Sequence, residues 1–169
     1  MIVVKPTKFA DAHLFVPDVF SDARGYFKET YARRKYEELG IADEWVQDAV
    51  SRSRKNVLRG MHYDVRMAKL AQVLVGRAYD VIVDVREGSP TYKQWQGFDL
   101  SGDNHMQVYV PKGFAHGFLA LSDEVIFHYK MSAHFDPQHE RVLSWKDPSV
   151  GIEWPIEGEP LLSPKDAAA

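Results

Sequence analysis

The segment Tyr79-Asp80-Val81-Ile82-Val83-Asp84-Val85-Arg86 alternates with a period of two. Tyr79, Val81, Val83 and Val85 share one face, and Asp80, Ile82, Asp84 and Arg86 share the other, as in an extended strand with one dry side. Shorter β-rich runs recur at Leu14–Val19, Val57–His62, Leu70–Val75, Tyr92–Leu100, Met106–Val110, Gly117–Leu121 and Val125–Met131, divided by Gly, Pro, Asp and Asn. Many short strands with frequent turn signals predict a mainly β chain folded as a sandwich or barrel. Only Ala32–Leu39, stopped by Gly40, reads as a helix, with single helical turns expected near the termini. Helices are therefore expected at the periphery.

No repeat, charge block or Ser/Gly-rich linker divides the 169 residues, so one domain spanning 1–169 is expected. With 45% hydrophobic and 27% charged residues, the chain has enough apolar material for a core. A net charge of −3 offers no general attraction to a phosphate backbone, and nucleic acid is not an expected partner. The absence of cysteine excludes disulfides, thiol nucleophiles and thiolate-ligated metals. No run of about 18 apolar residues occurs and Met1–Pro6 lacks signal-peptide character, so no membrane partner and a cytoplasmic location are expected.

Chemistry is thus left to His, carboxylate, Lys and Tyr side chains. Polar residues alternating into several strands predict a polar lining inside a barrel, although Asp80 and Asp84 would equally suit a solvent-facing sheet surface. Seven histidines are present without a tight metal-binding spacing. A barrel can still gather distant ligands, which leaves open a metal site of His62, His116 and a carboxylate. His62, in Leu58-Arg59-Gly60-Met61-His62-Tyr63, also fits a hydrogen-bonded core imidazole. His116 lies between Gly113 and Gly117, where a tight turn would either present it to a cleft or serve the chain alone. Tyr129 in Ile126–Met131 reads by itself as a packed aromatic, and Asp166 as part of a solvated tail.

Four motifs occur in order: Asp22-Ala-Arg24-Gly25-Tyr-Phe27-Lys-Glu29, Val57-Leu-Arg59-Gly60-Met-His62-Tyr63, Glu87-Gly-Ser-Pro90-Thr and Pro111-Lys-Gly-Phe-Ala-His116-Gly-Phe118. Further matches follow in Tyr129–Pro137, Trp145–Pro148, Gly151–Pro155 and Leu162–Asp166. Together they resemble the dTDP-4-dehydrorhamnose 3,5-epimerase family over roughly residues 5–166. The resemblance implies a cupin-type jelly-roll β-barrel and a nucleotide-linked 4-keto-6-deoxy sugar as substrate, epimerised at C3 and C5 without a cofactor. A base removes a proton made acidic by the neighbouring carbonyl, and an acid returns one from the opposite face.

The resemblance makes His62 the base, Asp166 its carboxylate partner, Tyr129 the proton donor and Lys69 the cation that stabilises charge on the C4 oxygen. His116, hydrogen-bonded to Asp80, belongs by resemblance to the sugar pocket. Arg24, Glu29, Gln47, Arg59, Glu140 and Lys165 are nominated for the diphosphate and nucleoside, arginine being suited to forked phosphate contacts. A homodimer made by strand exchange is implied, with the Arg24–Glu29 segment reaching the partner's site. Two positions depart from the family pattern. Phe135 replaces a usual tyrosine that stacks on thymine, and Ala49 replaces a usual asparagine near the diphosphate. These leave open a mono-epimerase or a different nucleotide sugar. A metal-dependent cupin oxygenase and a non-catalytic sugar-nucleotide binder are the alternatives of other classes.

Overall fold

The computed structural model describes residues 1–169. A six-stranded sheet runs in spatial order β1 (Val3–Lys5), β2 (His13–Val16), β10 (Gln107–Val110), β7 (Lys69–Val75), β12 (Glu124–Met131) and β5 (Gln47–Arg54). A five-stranded sheet runs β13 (Arg141–Val142), β6 (Leu58–Tyr63), β11 (Phe114–Ala120), β8 (Arg77–Asp84) and β9 (Trp95–Ser101). Strands β3 (Val19–Asp22) and β4 (Gly25–Lys28) form a separate hairpin. The helices α1 (Arg33–Glu37) and α2 (Pro164–Ala167) are short and peripheral. The two large sheets pack as the expected cupin-like jelly roll. No helix is long and apolar enough to cross a membrane.

Ala71, Val73, Val125 and Phe127 from the first sheet meet Ala78, Ile82, Phe114 and Phe118 from the second in a cluster of 15 buried residues. Phe118 and Phe127 stack across the sheets with ring centroids 4.4 Å apart. Burial of such side chains contributes about 1.5–3 kcal/mol each, enough in sum to hold the layers together. Val81 and Val83 pack instead on the outer side of β8 with Met61 and Ala115, beneath Trp154 and Ile152 from the C-terminal segment. Both faces of β8 are therefore covered.

That covering corrects the solvent-facing reading of Asp80 and Asp84, both of which are fully buried. Asp84 keeps a depressed pKa: burial favours the neutral acid, but hydrogen bonds from Arg86, Ser89 and Thr91 outweigh it. Other boundaries move for local reasons. The expected Leu14–Val19 strand breaks at Pro17, which has no N–H for a ladder, and its halves join different sheets. Tyr92–Gln94 turns, with Lys93 at φ 62°, so β9 begins at Trp95. His116 sits inside β11 rather than on a glycine turn.

Candidate active site

Strand β6 carries His62 near its end, and β11 lays His116 directly opposite in antiparallel register. The strands approach closely because Gly60 and Gly117 meet there: a Cβ on Gly60 would lie 2.7 Å from the Gly117 Cα. Register slips between His116 and Phe118, a bulge that tilts this part of the ladder. Two imidazoles thereby share one end of the barrel, each engaged by its own carboxylate.

Asp166 reaches His62 from α2, whose start is capped by the Ser163 hydroxyl accepting the Asp166 N–H at 3.1 Å. The His62 Nε2 to Asp166 Oδ1 separation is 2.5 Å. Asp166 is 2% exposed, while the His62 side chain is 26% exposed toward the cavity. An ionised carboxylate only accepts hydrogen bonds, so Nε2 carries the proton and Nδ1 retains its lone pair as the basic atom. Behind this pair, His116 Nε2 lies 2.6 Å from Asp80 Oδ2, both residues being buried. The carboxylates fix both rings. No cluster of three or more His, Asp or Glu side chains has metal-ligand geometry, so the residues of the His62–His116 metal triad are not assembled as such.

Across the cavity stands Tyr129 on β12, its ring packed on Phe127 with centroids 4.8 Å apart. Burial pushes the phenol pKa upward, against the opposing effects of the Ser51 hydrogen bond and the Arg59 charge. The hydroxyl therefore stays protonated through neutral pH. Lys69 opens β7 with Nζ 3.5 Å from the His62 carbonyl oxygen. Its pKa is pushed down to about 8 by burial, while Glu140, Asp80 and Asp64 pull it back up. At pH 7 the ammonium is still the main form.

The cavity is about 640 Å³ and is lined by His62, Lys69, His116, Tyr129 and Asp166 together with Gln47, Arg59, Phe135 and Glu140. This falls within the usual range for sites that hold small organic ligands. Arg59 is fixed by Nε–H donation to Ser53 Oγ at 3.0 Å and by a terminal nitrogen donating to the Arg52 carbonyl. Gln47 Oε1 accepts the Phe135 N–H at 2.8 Å and holds that ring, 52% exposed, at the mouth. Lys165 lies just outside, paired with Glu140. Arg24 and Glu29 are not gathered here: Arg24 pairs with Asp22 on the hairpin turn, and Glu29 pairs with Lys35.

Sequence reasoning passed over Ser51, Tyr63, Asp64 and Met67, which also line the space. For Ser51 the available signal was the alternation Gln47, Ala49, Ser51, Ser53, an all-small or polar face without the apolar pattern that marks a strand. The assembled groups comprise an imidazole with one ring nitrogen on Asp166 and the other 3.8 Å from Glu140 Oε1, a neutral phenol and an ammonium around one cavity. Such a set can abstract a proton, hold the resulting negative charge and supply a proton from elsewhere.

Residues 6–169 match the sequence model of the dTDP-4-dehydrorhamnose 3,5-epimerases. The chain belongs to the dTDP-4-dehydrorhamnose 3,5-epimerase family. The family's enzyme from Pseudomonas aeruginosa is 48% identical over 168 residues, covering 96% of this chain and 93% of its own. That from Salmonella typhimurium is 46% identical, covering 100% and 94%. A crystal structure of dTDP-6-deoxy-D-glucose-3,5-epimerase from Legionella pneumophila, in complex with dTDP-4-keto-L-rhamnose, superposes with a TM-score of 0.98 at 45% identity, covering 100% of this chain and 92% of that one. Membership of this epimerase family makes the chain an isomerase, and the matched span contains every residue placed around the cavity.

Proposed function

We propose that the protein converts dTDP-4-dehydro-6-deoxy-D-glucose to dTDP-4-dehydro-L-rhamnose by inverting C3 and C5. The observation that carries this reading is the His62–Asp166 pair and the Tyr129 hydroxyl lining one cavity with Lys69. His62 Nδ1 takes the proton next to the C4 carbonyl, and Asp166 stabilises the imidazolium through Nε2–H. Lys69 stabilises the enolate oxygen, a task for which preorganised donors typically supply ~2.7–4 kcal/mol. Tyr129 returns a proton to the carbon, and the second centre follows by the same sequence. Arg59, Gln47, Phe135 and Glu140 position the nucleotide, with Lys165 at the rim. His116, oriented by Asp80, completes the sugar pocket.

Arg24 and Glu29 find their place in this reading through a homodimer, in which the β3–β4 hairpin of one protomer extends to the site of its partner. The hairpin supports this by presenting Phe20, Tyr26 and Phe27 to solvent in the single chain.

Proton NMR in deuterium oxide tests the reaction, with dTDP-4-dehydro-6-deoxyglucose and no added metal. Loss of the C3 and C5 signals with formation of the L-lyxo product is expected. Loss of one signal would establish a mono-epimerase, and loss of neither would remove this substrate. The His62→Ala variant is expected to lose exchange at both carbons; full exchange in that variant would overturn the base assignment.

A further inference from the structure

The inward face of β5 reads Gln47, Ala49, Ser51, Ser53, because alternate residues of a strand point the same way. Each polar member holds one group of the site. Gln47 binds the Phe135 backbone, Ser53 binds the Arg59 guanidinium, and Ser51 Oγ lies 3.2 Å from the Tyr129 hydroxyl. Ala49 lies opposite Tyr129 in the ladder and brings no polar atom. The Tyr129 hydroxyl therefore has Ser51 as its one hydrogen-bond partner within the protein.

We propose that Ser51 is a positioning residue for proton delivery, donating its hydroxyl to the Tyr129 oxygen so that the Tyr129 O–H is left pointing into the cavity. This rests on the reading of Tyr129 as the acid. In the transfer, the Tyr129 O–H bond breaks and its proton passes to the enolate carbon. The new C–H bond uses the enolate π pair as the C4 carbonyl re-forms, and the O–H electron pair stays on the phenolate oxygen. Solvent then reprotonates Tyr129 and accepts the proton held by His62. As charge builds on the phenol oxygen, the bond from Ser51 changes from neutral to charge-assisted and strengthens. Such an interaction is stronger in the transition state than in the bound substrate, so it acts on kcat and leaves KM nearly unchanged. The opposition of Ser51 and Arg59 to the burial of Tyr129 has the same sense.

The test compares Ser51→Ala, Ser51→Thr and Tyr129→Phe with the unaltered protein, using dTDP-4-dehydro-6-deoxyglucose in deuterium oxide and reading solvent exchange and inverted product separately. Ser51→Ala is expected to keep exchange at C3 and C5 and a KM within about twofold, while product formation falls about tenfold, as for one lost hydrogen bond. Ser51→Thr, which keeps the hydroxyl, is expected to recover most of that loss. Unchanged product formation in Ser51→Ala, or equal impairment in both Ser51 variants, would overturn the proposal. Tyr129→Phe separates the two readings. If it still inverts the sugar, the acid assignment fails; if it fails to invert while Ser51→Ala is unimpaired, the role of Ser51 alone falls.

Discussion

Asp166 shows how little one residue reveals outside its fold. Next to a run of alanines it has the look of solvated chain, yet it is one of the few carboxylates buried to near completion, and its partner is an imidazole. Only the resemblance of Leu162–Asp166 to the family pattern pointed to it; no local periodicity did. Asp166→Asn would preserve shape but offer an amide that can donate to Nε2, favouring the wrong tautomer. A fall in kcat of about 100-fold or more, with KM little changed, is expected from steady-state kinetics. Lys69 supplies a pH signature. In the proposed reaction its charged form is the useful one, and burial pushes its pKa down to about 8. As pH rises through that value the ammonium is lost, so kcat/KM is expected to decline on the alkaline side near pH 8. Lys69→Met is expected to abolish that limb and lower kcat by about 100–1000-fold, measured across a pH series.

At the scale of elements, strands with an apolar stripe were legible and strand β5 was not. Its outward positions are charged or solvent-exposed and its inward ones are small or polar, three of them lining the cavity, so neither face carries the hydrophobic alternation that marks a strand. The same property makes it functionally rich: a strand that borders a site is patterned for ligand and side-chain contacts instead of for the core. The β6–β11 pair has the opposite demand, close approach. A side chain on Gly60 would meet the backbone of Gly117 at 2.7 Å and of His116 at 2.9 Å, and Gly60 has φ 125°. Backbone cannot swing aside as a flexible side chain does. Gly60→Ala is expected to cost about 3 kcal/mol in denaturant unfolding and to spread the two strands that carry His62 and His116.

For the whole molecule, the β-rich composition and turn spacing made a barrel or sandwich readable, but not which strands would be neighbours. Ser51 and Tyr129 meet across 78 positions and His62 and Asp166 across 104. Pairing at such distance follows from the global packing of two sheets, which no short window of sequence contains. The exposed β3–β4 hairpin belongs to this scale as well, because its Phe20 and Phe27 are apolar surface that a dimer of the proposed kind would cover. Phe20→Ser combined with Phe27→Ser is expected to sediment as a monomer, and the unaltered protein is expected to sediment as a dimer. It is also expected to lose at least about tenfold in kcat/KM, as the partner's Arg24 and Glu29 no longer reach the site.

The separation of His62 from Asp166 also has a meaning in time. At a ribosomal pace of roughly 5–20 residues per second, about 5–20 s pass between the emergence of the imidazole and that of its carboxylate. Every strand of both large sheets has been made before Asp166 appears. In the proposed reaction, the imidazole gains its orienting carboxylate only when the final helix, made after every strand, turns back onto β6.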